Sequence, residues 1–177
     1  MVQRVIFDTS IFPCLARDKR LSQSELEELQ LKIGSDNTFK VYGINIIRRE
    51  LKNTFRHNKE FLNVLMKIYN FIIDKEYSAD DKIEKIAKNY YEYYRKFGGL
   101  KDYENIKTDI LIVALASVKN IDILVSGDRE TMSMNHRYGE EFRKAYHHIN
   151  VINGLRDPVF WQYKDIKLKY GFFKKET

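Results

Sequence analysis

The sequence predicts an α/β fold in which helices cover a mostly parallel β-sheet. Short apolar runs alternate with longer segments of helical periodicity, and such runs are typical of strands buried on both faces of a sheet. The runs are Arg4 to Phe7, residues 39–44 and Ile121 to Ser126. Because helical segments separate these strands, we expect them to run parallel, with the helices layered on the sheet.

Capping residues mark the helices that flank the second strand. Ser22 and Glu25 form a candidate capping box for a helix that extends to about Ile33. Asn45 directly follows the second strand and is a plausible N-cap for the next helix.

A helical region is predicted at about 58–98. Apolar side chains recur at helical spacing in its first half. Ser78 with Asp81 indicates the start of its second helix, which ends at Gly98 and Gly99.

The last third of the chain is predicted to hold further helices and one strand. A helix covers about Tyr103 to Lys119, and two short helical pieces cover 129–147. HINVING, residues 148–154, is predicted as the last strand, and 158–168 as a terminal helix.

Length, charge and cysteine content narrow the class of protein. The 177 residues suit a single domain, 1–177, with a C-terminal extension from about 155. A net charge of +6 moderately favours polyanionic partners. Cys14 is the only cysteine, and no apolar stretch suits a signal peptide or a membrane span. We therefore expect a cytoplasmic protein with no membrane partner.

Four acidic residues fall near the carboxyl ends of predicted strands. Asp8 follows the first strand and Asp128 the third, whereas Glu50 and Asp109 lie in helices. Ligands of parallel sheets bind beyond the carboxyl ends of the strands. If the first and third strands are neighbours, Asp8 and Asp128 lie at one edge of the sheet.

Such a cluster requires a positive charge, and Mg²⁺ or Mn²⁺ binds oxygen ligands of this kind. Each acid also has an ordinary interpretation by itself. Asp8 suits a helix cap equally well, and Asp128 suits a glycine–aspartate turn better than a metal site. A solvated helix face for Glu50 and a surface or ion-paired position for Asp109 are the simpler interpretations.

The motifs around these acids resemble, in order and spacing, those of the PIN domain family of metal-dependent ribonucleases. The match consists of four short segments: IFDTSIF around Asp8, the Glu50–Leu51 pair, Asp109 with Ile112, Ala114 and Ala116, and LVSGD with Ser126 and Asp128. It extends over residues 4 to about 130.

The resemblance implies a three-layer α/β/α sandwich and a pocket that holds Mg²⁺ or Mn²⁺. RNA would be hydrolysed there by a metal-activated water. The implied ligands are Asp8, Asp109 and Asp128, with Glu50 as a ligand or as the group that orients the water, and Thr9 and Ser126 would support them through hydrogen bonds. Many family members are toxins of toxin–antitoxin pairs, so an antitoxin protein and a homodimer are implied partners.

Several interpretations remain open at this level. Arg48 and Arg49 flank Glu50 and suit contacts with an RNA backbone as well as they suit a solvated helix face. The aromatic segment NYYEYYRKF, residues 89–97, favours packing over base stacking because its rings recur at helical spacing. The alternative to a ribonuclease is a non-catalytic PIN-like module that binds RNA or protein. A phosphatase with Asp8 as nucleophile is disfavoured, because Ser10 stands where that pattern has a second aspartate.

Overall fold

The computed structural model describes residues 2–127 and 137–172. Its centre is a five-stranded sheet in the order β3-β2-β1-β4-β5, and every pairing is parallel. The strands are β1 (Gln3–Phe7), β2 (Phe39–Ile44), β3 (Ile73–Tyr77), β4 (Ile123–Ser126) and β5 (Val159–Gln162).

The described helices form layers on the two faces of this sheet. The helices are α1 (Ile11–Ala16), α2 (Gln23–Ser35), α3 (Asn45–Thr54), α4 (Lys59–Ile72), α5 (Asp81–Lys96), α6 (Tyr103–Val118), α7 (Arg137–Asn153) and α8 (Tyr163–Lys169). Helices α1, α2 and α3 pack against α4, whereas α5 packs against α6 and α7.

Two neighbouring residues of β5 show that these helix groups lie on opposite faces. Phe160 contacts Tyr146 of α7, whereas Trp161 stacks on Phe39, which packs near Phe7 and so on the side of α1. Successive side chains of a strand point to opposite faces. The predicted α/β class with a parallel sheet in three layers is therefore confirmed.

Strand β1 lies in the middle of the sheet. It pairs with β2 on one side and with β4 on the other. Val5, Ile6 and Phe7 are fully buried, as expected for a strand covered on both faces. Asp8 follows Phe7 directly, at the carboxyl end of this buried strand.

The predicted helical region 58–98 contains a strand that the sequence pattern did not indicate. Strand β3 has the sequence IDKEY, and its three central residues are exposed. It pairs only with β2, at the edge of the sheet. Charged side chains suit an edge strand because they discourage further pairing, but they remove the apolar signal of a strand.

The predicted strand HINVING is wrong, since residues 148–153 form the end of α7. Ile149 and Asn150 are buried whereas Val151 and Ile152 are exposed, which is a helical pattern and not an alternating one. From 137 onward a single helix replaces the predicted short pieces, and 129–136 lie outside the described residues.

The predicted terminal helix over 158–168 is correct only in its second part. Residues 159–162 form β5, and α8 follows. The C-terminal extension predicted from about 155 thus adds an edge strand to the sheet. Two contacts hold α8 and its C-cap on the rest of the protein. The Lys167 ammonium lies 2.7 Å from the Asp18 carboxylate, and the Tyr170 hydroxyl donates to Asp36 at 3.0 Å.

The predicted caps are confirmed at one helix and shifted at two. Ser22 caps α2 in a complete capping box. Asn45 is the first helical residue of α3 and follows an N-cap, Ile44, that has no side-chain bond. Asp80 caps α5 in place of the predicted Ser78, and its carboxylate accepts from the Ile83 amide at 3.0 Å.

Candidate active site at the end of strand β1

The carboxyl ends of β1 and β4 lie side by side at the point where the strand order reverses. β2, which follows β1 in the sequence, lies on one side of β1, and β4 lies on the other. Crevices that bind ligands form at this position in parallel sheets. Phe7 is in register with Val125, and the Asp8 amide donates to the Val125 carbonyl at 2.9 Å. The sequence condition that the first and third predicted strands be neighbours is therefore fulfilled.

The Asp8 carboxylate is buried, with 6% of the residue exposed, and it is surrounded by donors. Its Oδ2 accepts from the hydroxyls of Ser10 and Ser126, each at 2.9 Å. Its Oδ1 accepts from the Thr9 amide at 2.6 Å. Hydrogen bonds to the charged form offset the cost of burying a carboxylate, and they fix its orientation.

Thr9 connects Asp8 to Glu50. The Thr9 hydroxyl donates to Glu50 Oε2 at 2.6 Å, while the Thr9 backbone amide donates to Asp8 Oδ1. Glu50 reaches this position because α3 follows β2, which is the direct neighbour of β1. Two of the four acids predicted from sequence are thus joined through one residue.

Ser10 belongs to the same network, although the sequence analysis did not assign it a role there. Its Oγ donates to Asp8 and accepts from the Gly127 amide at 2.9 Å. A Cβ at residue 127 would lie 3.2 Å from that oxygen, a tight approach that favours glycine. Ser10 therefore connects the start of α1 to the chain beyond β4. The feature of the sequence that could have indicated this role of Ser10 is a hydroxyl two residues after Asp8.

The other two predicted acids are placed differently. Asp109 lies half-buried in the first half of α6, and Asp128 lies outside the described residues. Within 2–127 and 137–172, no three or more histidine, cysteine, aspartate or glutamate side chains are grouped so that they could hold one metal ion. Asp8, Glu50 and Asp109 therefore do not form a three-carboxylate site by themselves.

Of the two arginines beside Glu50, Arg48 is engaged within the protein. Its Nε donates to Glu76 Oε2 at 2.7 Å, and its guanidinium lies 4.8 Å from the centre of the Tyr69 ring. The Tyr69 hydroxyl donates to the same carboxylate at 2.7 Å. Burial opposes charge on Glu76, but these two hydrogen bonds outweigh it and lower the pKa of the Glu76 carboxyl. Arg49 is exposed.

The potential metal-ligand atoms near Asp8 suit a hard divalent cation. They consist of oxygens only: the carboxylates of Asp8 and Glu50 with the hydroxyls of Thr9, Ser10 and Ser126. Mg²⁺ commonly binds through one or two carboxylates and takes its other ligands from water and phosphate. The residues present therefore fit Mg²⁺ or Mn²⁺ by their chemistry.

Comparison with known proteins gives a likeness in fold. No protein-family model matches the chain, and no curated protein matches it in sequence. A crystal structure of VapBC2 from Rickettsia felis, bound to a DNA fragment from their promoter, is similar to the chain with a TM-score of 0.56. The match covers 90% of this chain and 98% of that chain at 13% identity.

Two general properties follow from these observations. Among the described helices, none is both long and apolar enough to cross a bilayer. The parallel sheet with helices on both faces has the fold of a chain in the VapBC2 structure, and at 13% identity the likeness extends to the fold alone.

Proposed function

We propose that the protein is a Mg²⁺- or Mn²⁺-dependent endoribonuclease of the PIN type, which hydrolyses RNA phosphodiester bonds at Asp8. The observation that carries the proposal is the linkage of Asp8, Thr9 and Glu50 at the carboxyl ends of β1 and β4, with the Ser126 hydroxyl on the Asp8 carboxylate. Buried and oriented carboxylates at this position are typical of a reactive site and not of a solvated surface.

Two independent features support the PIN assignment. The four acidic motifs occur in the family order along the sequence, and the fold is similar to a chain of a VapBC2 structure. The second feature also suggests a partner. Since VapBC2 is a toxin–antitoxin complex, we propose that an antitoxin protein binds this chain and regulates it. Pairing of two copies remains a prediction of the sequence.

Each residue of the site has a distinct part in the proposed reaction. Asp8, Asp109 and Asp128, with Glu50, would hold the metal ion, which when bound lowers the pKa of its water and neutralises charge on the phosphate. Ser10 and Ser126 hold the Asp8 carboxylate in one orientation through Oδ2. Thr9 holds Glu50 through Oε2, and Glu50 would act as a metal ligand or orient the attacking water.

The proposal is tested by RNA cleavage with Mn²⁺ in matched carboxylate variants. Asp8→Asn and Glu50→Gln preserve side-chain shape, and we expect each to reduce the cleavage rate by about a hundredfold or more. Asp74→Asn, an exposed carboxylate on β3, serves as the control and is expected to cleave normally. Wild-type rates in Asp8→Asn would contradict the proposal.

The second candidate function is a non-catalytic PIN-like module that binds RNA or protein. It is favoured by one observation, namely that the described residues contain no group of three acids placed for one metal ion. Tight binding of RNA without cleavage, in wild-type protein supplied with Mn²⁺, would favour this function.

A further inference from the structure

A cleft lies at the opposite end of the sheet from Asp8. It has a volume of about 540 Å³ and is formed by α7 and the chain that enters β5. Val159, at its rim, is in register with Ile123 at the start of β4, whereas Asp8 follows the far end of β1. A volume of this size is within the usual range of small-molecule sites.

A buried polar network holds Asp157, one of the residues that line the cleft. Asn150 is 1% exposed, and its Nδ2 donates to Asp157 Oδ1 at 2.7 Å and to Ser117 Oγ at 3.0 Å. The Tyr90 hydroxyl donates to the side-chain oxygen Oδ1 of Asn150. A fully bonded buried network of this kind holds its members in one geometry. It fixes Asp157 and the entry to β5.

Among the described residues that line the cleft, Asp157 is the only carboxylate, and it is already engaged. Asp157 Oδ2 lies 2.6 Å from His147 Nδ1, and its Oδ1 accepts from Asn150. Both oxygens are thus occupied by protein donors. These contacts fix the position of the Asp157 carboxylate, so the attraction for an anion in the cleft comes from its basic residues.

Basic side chains of α7 form one wall. Arg143, Lys144 and His147 line the cleft, and all three are exposed. Arg143 makes no ion pair with any residue that the structure describes, although its charge, after that of Lys144, helps to lower the pKa of Glu140. Lys144 pairs with Glu140 at 3.0 Å, but both partners are more than half exposed, so the pair is weak and can open.

The second wall, which includes Tyr146 of α7, is apolar and aromatic. Tyr146 and Phe160 lie with ring centres 5.7 Å apart, and Pro158 and Val159 extend this surface. Val159 is 58% exposed although it is apolar. The cleft thus presents apolar surface beside the exposed guanidinium of Arg143.

We propose that this cleft binds a nucleotide, with the phosphate on Arg143 and Lys144 and the base against Phe160 and Val159. A nucleotide unit carries an anion and a flat ring together, which matches both walls. Phosphates pair favourably with arginine, and bases stack on aromatic rings. The unit is either a free mononucleotide or part of an RNA strand.

Binding is measured without divalent metal, so that the result does not depend on the nuclease activity proposed above. One arm titrates AMP and UMP by calorimetry in EDTA. The other arm follows the anisotropy of a fluorescein-labelled RNA of about 12 nucleotides. Arg143→Glu tests the basic wall, and Phe160→Leu tests the aromatic wall. Lys88→Glu, an exposed position of α5 outside the cleft, is the control with the same change of charge.

We expect Arg143→Glu to weaken binding about tenfold or more, since a charge-assisted contact is lost. Phe160→Leu should weaken it severalfold, and Lys88→Glu less than twofold. Binding of AMP or UMP with this dependence identifies a free nucleotide as the ligand, and binding of the RNA alone identifies a strand. Absence of binding in both arms, or equal losses in Arg143→Glu and Lys88→Glu, would overturn the proposal.

Discussion

The buried network around Asn150 allows a quantitative prediction for the substitution Asn150→Leu. Leucine is close to asparagine in size, so the change removes polar contacts without opening a large cavity. Three hydrogen bonds disappear: two with the neutral groups of Tyr90 and Ser117, and one with the Asp157 carboxylate.

The expected cost follows from these contacts. A neutral hydrogen bond contributes about 1 kcal/mol to the free energy of unfolding, and a bond to a charged group contributes about 1.5 to 3 kcal/mol. The buried leucine returns about 1 to 2 kcal/mol through its apolar surface. We therefore expect Asn150→Leu to lower the free energy of unfolding by about 3 kcal/mol, and the melting temperature by about 6 to 12 °C.

Urea denaturation followed by circular dichroism measures this loss. Asn63→Leu, at an exposed position of α4, controls for the added apolar side chain and should leave stability nearly unchanged. Tyr90→Phe removes one bond of the network and should cost about 1 kcal/mol. A loss below about 1 kcal/mol in Asn150→Leu would refute the assignment of Asn150 as the centre of the network.

Two further predictions concern the C-terminal segment. Burial opposes charge on Asp36, but hydrogen bonds from Thr38 and Tyr170 outweigh it and lower the pKa of this carboxyl to about 2. The pKa of Asp36 is lower in the folded protein than in the unfolded chain, so the ionised carboxylate stabilises the fold by about 1 to 2 kcal/mol. This stabilisation is complete above pH 4 and is lost as the pH falls toward 2. Asp36→Asn should therefore flatten the decline of stability that urea denaturation measures between pH 5 and 2. Lys167→Met leaves the mostly buried Asp18 carboxylate without its ammonium partner, and we expect a loss of about 3 kcal/mol that the double variant with Asp18→Asn partly restores. Equal pH profiles for Asp36→Asn and wild type, or unchanged stability in Lys167→Met, would show that these contacts do not stabilise the fold.

The central strands were predictable because burial on both faces leaves a direct trace in the sequence. β1, β2 and β4 occupy the middle of the sheet, and most of their residues are apolar. Helix α2 was predictable for a different reason, since its capping box is a local contact between Ser22 and Glu25.

The edge strands were not predictable from the same signals. β3 is charged, and β5 has only four residues, of which the first is exposed. Both exist because a neighbouring strand offers unpaired backbone groups, which is a tertiary effect. The β-branched residues of 149–152 favoured a strand, but packing of Ile149 and Asn150 against the core keeps them in α7.

The sequence predicted which site residues lie at strand ends, but it did not predict the hydrogen bonds between side chains of different elements. The position of Asp8 at the carboxyl end of a buried strand follows from the sequence, and its nearness to Ser126 required only that β1 and β4 pair. The bond from Thr9 to Glu50 depends on the rotation of α3 on the sheet. No pattern in the sequence fixes that rotation. The pairing of Arg48 with Glu76 was equally hidden, because it requires β3.

Calorimetric titration with Mn²⁺, up to millimolar concentration, tests most directly whether Asp8 belongs to a metal site. It requires no knowledge of the RNA substrate. We expect wild-type protein and the exposed control Asp74→Asn to bind Mn²⁺ alike, and Asp8→Asn to bind it at least about tenfold more weakly, because a carboxylate ligand is replaced by an amide. Equal Mn²⁺ affinity in wild type and Asp8→Asn, with both proteins folded by circular dichroism, would contradict the assignment of Asp8 as a metal ligand.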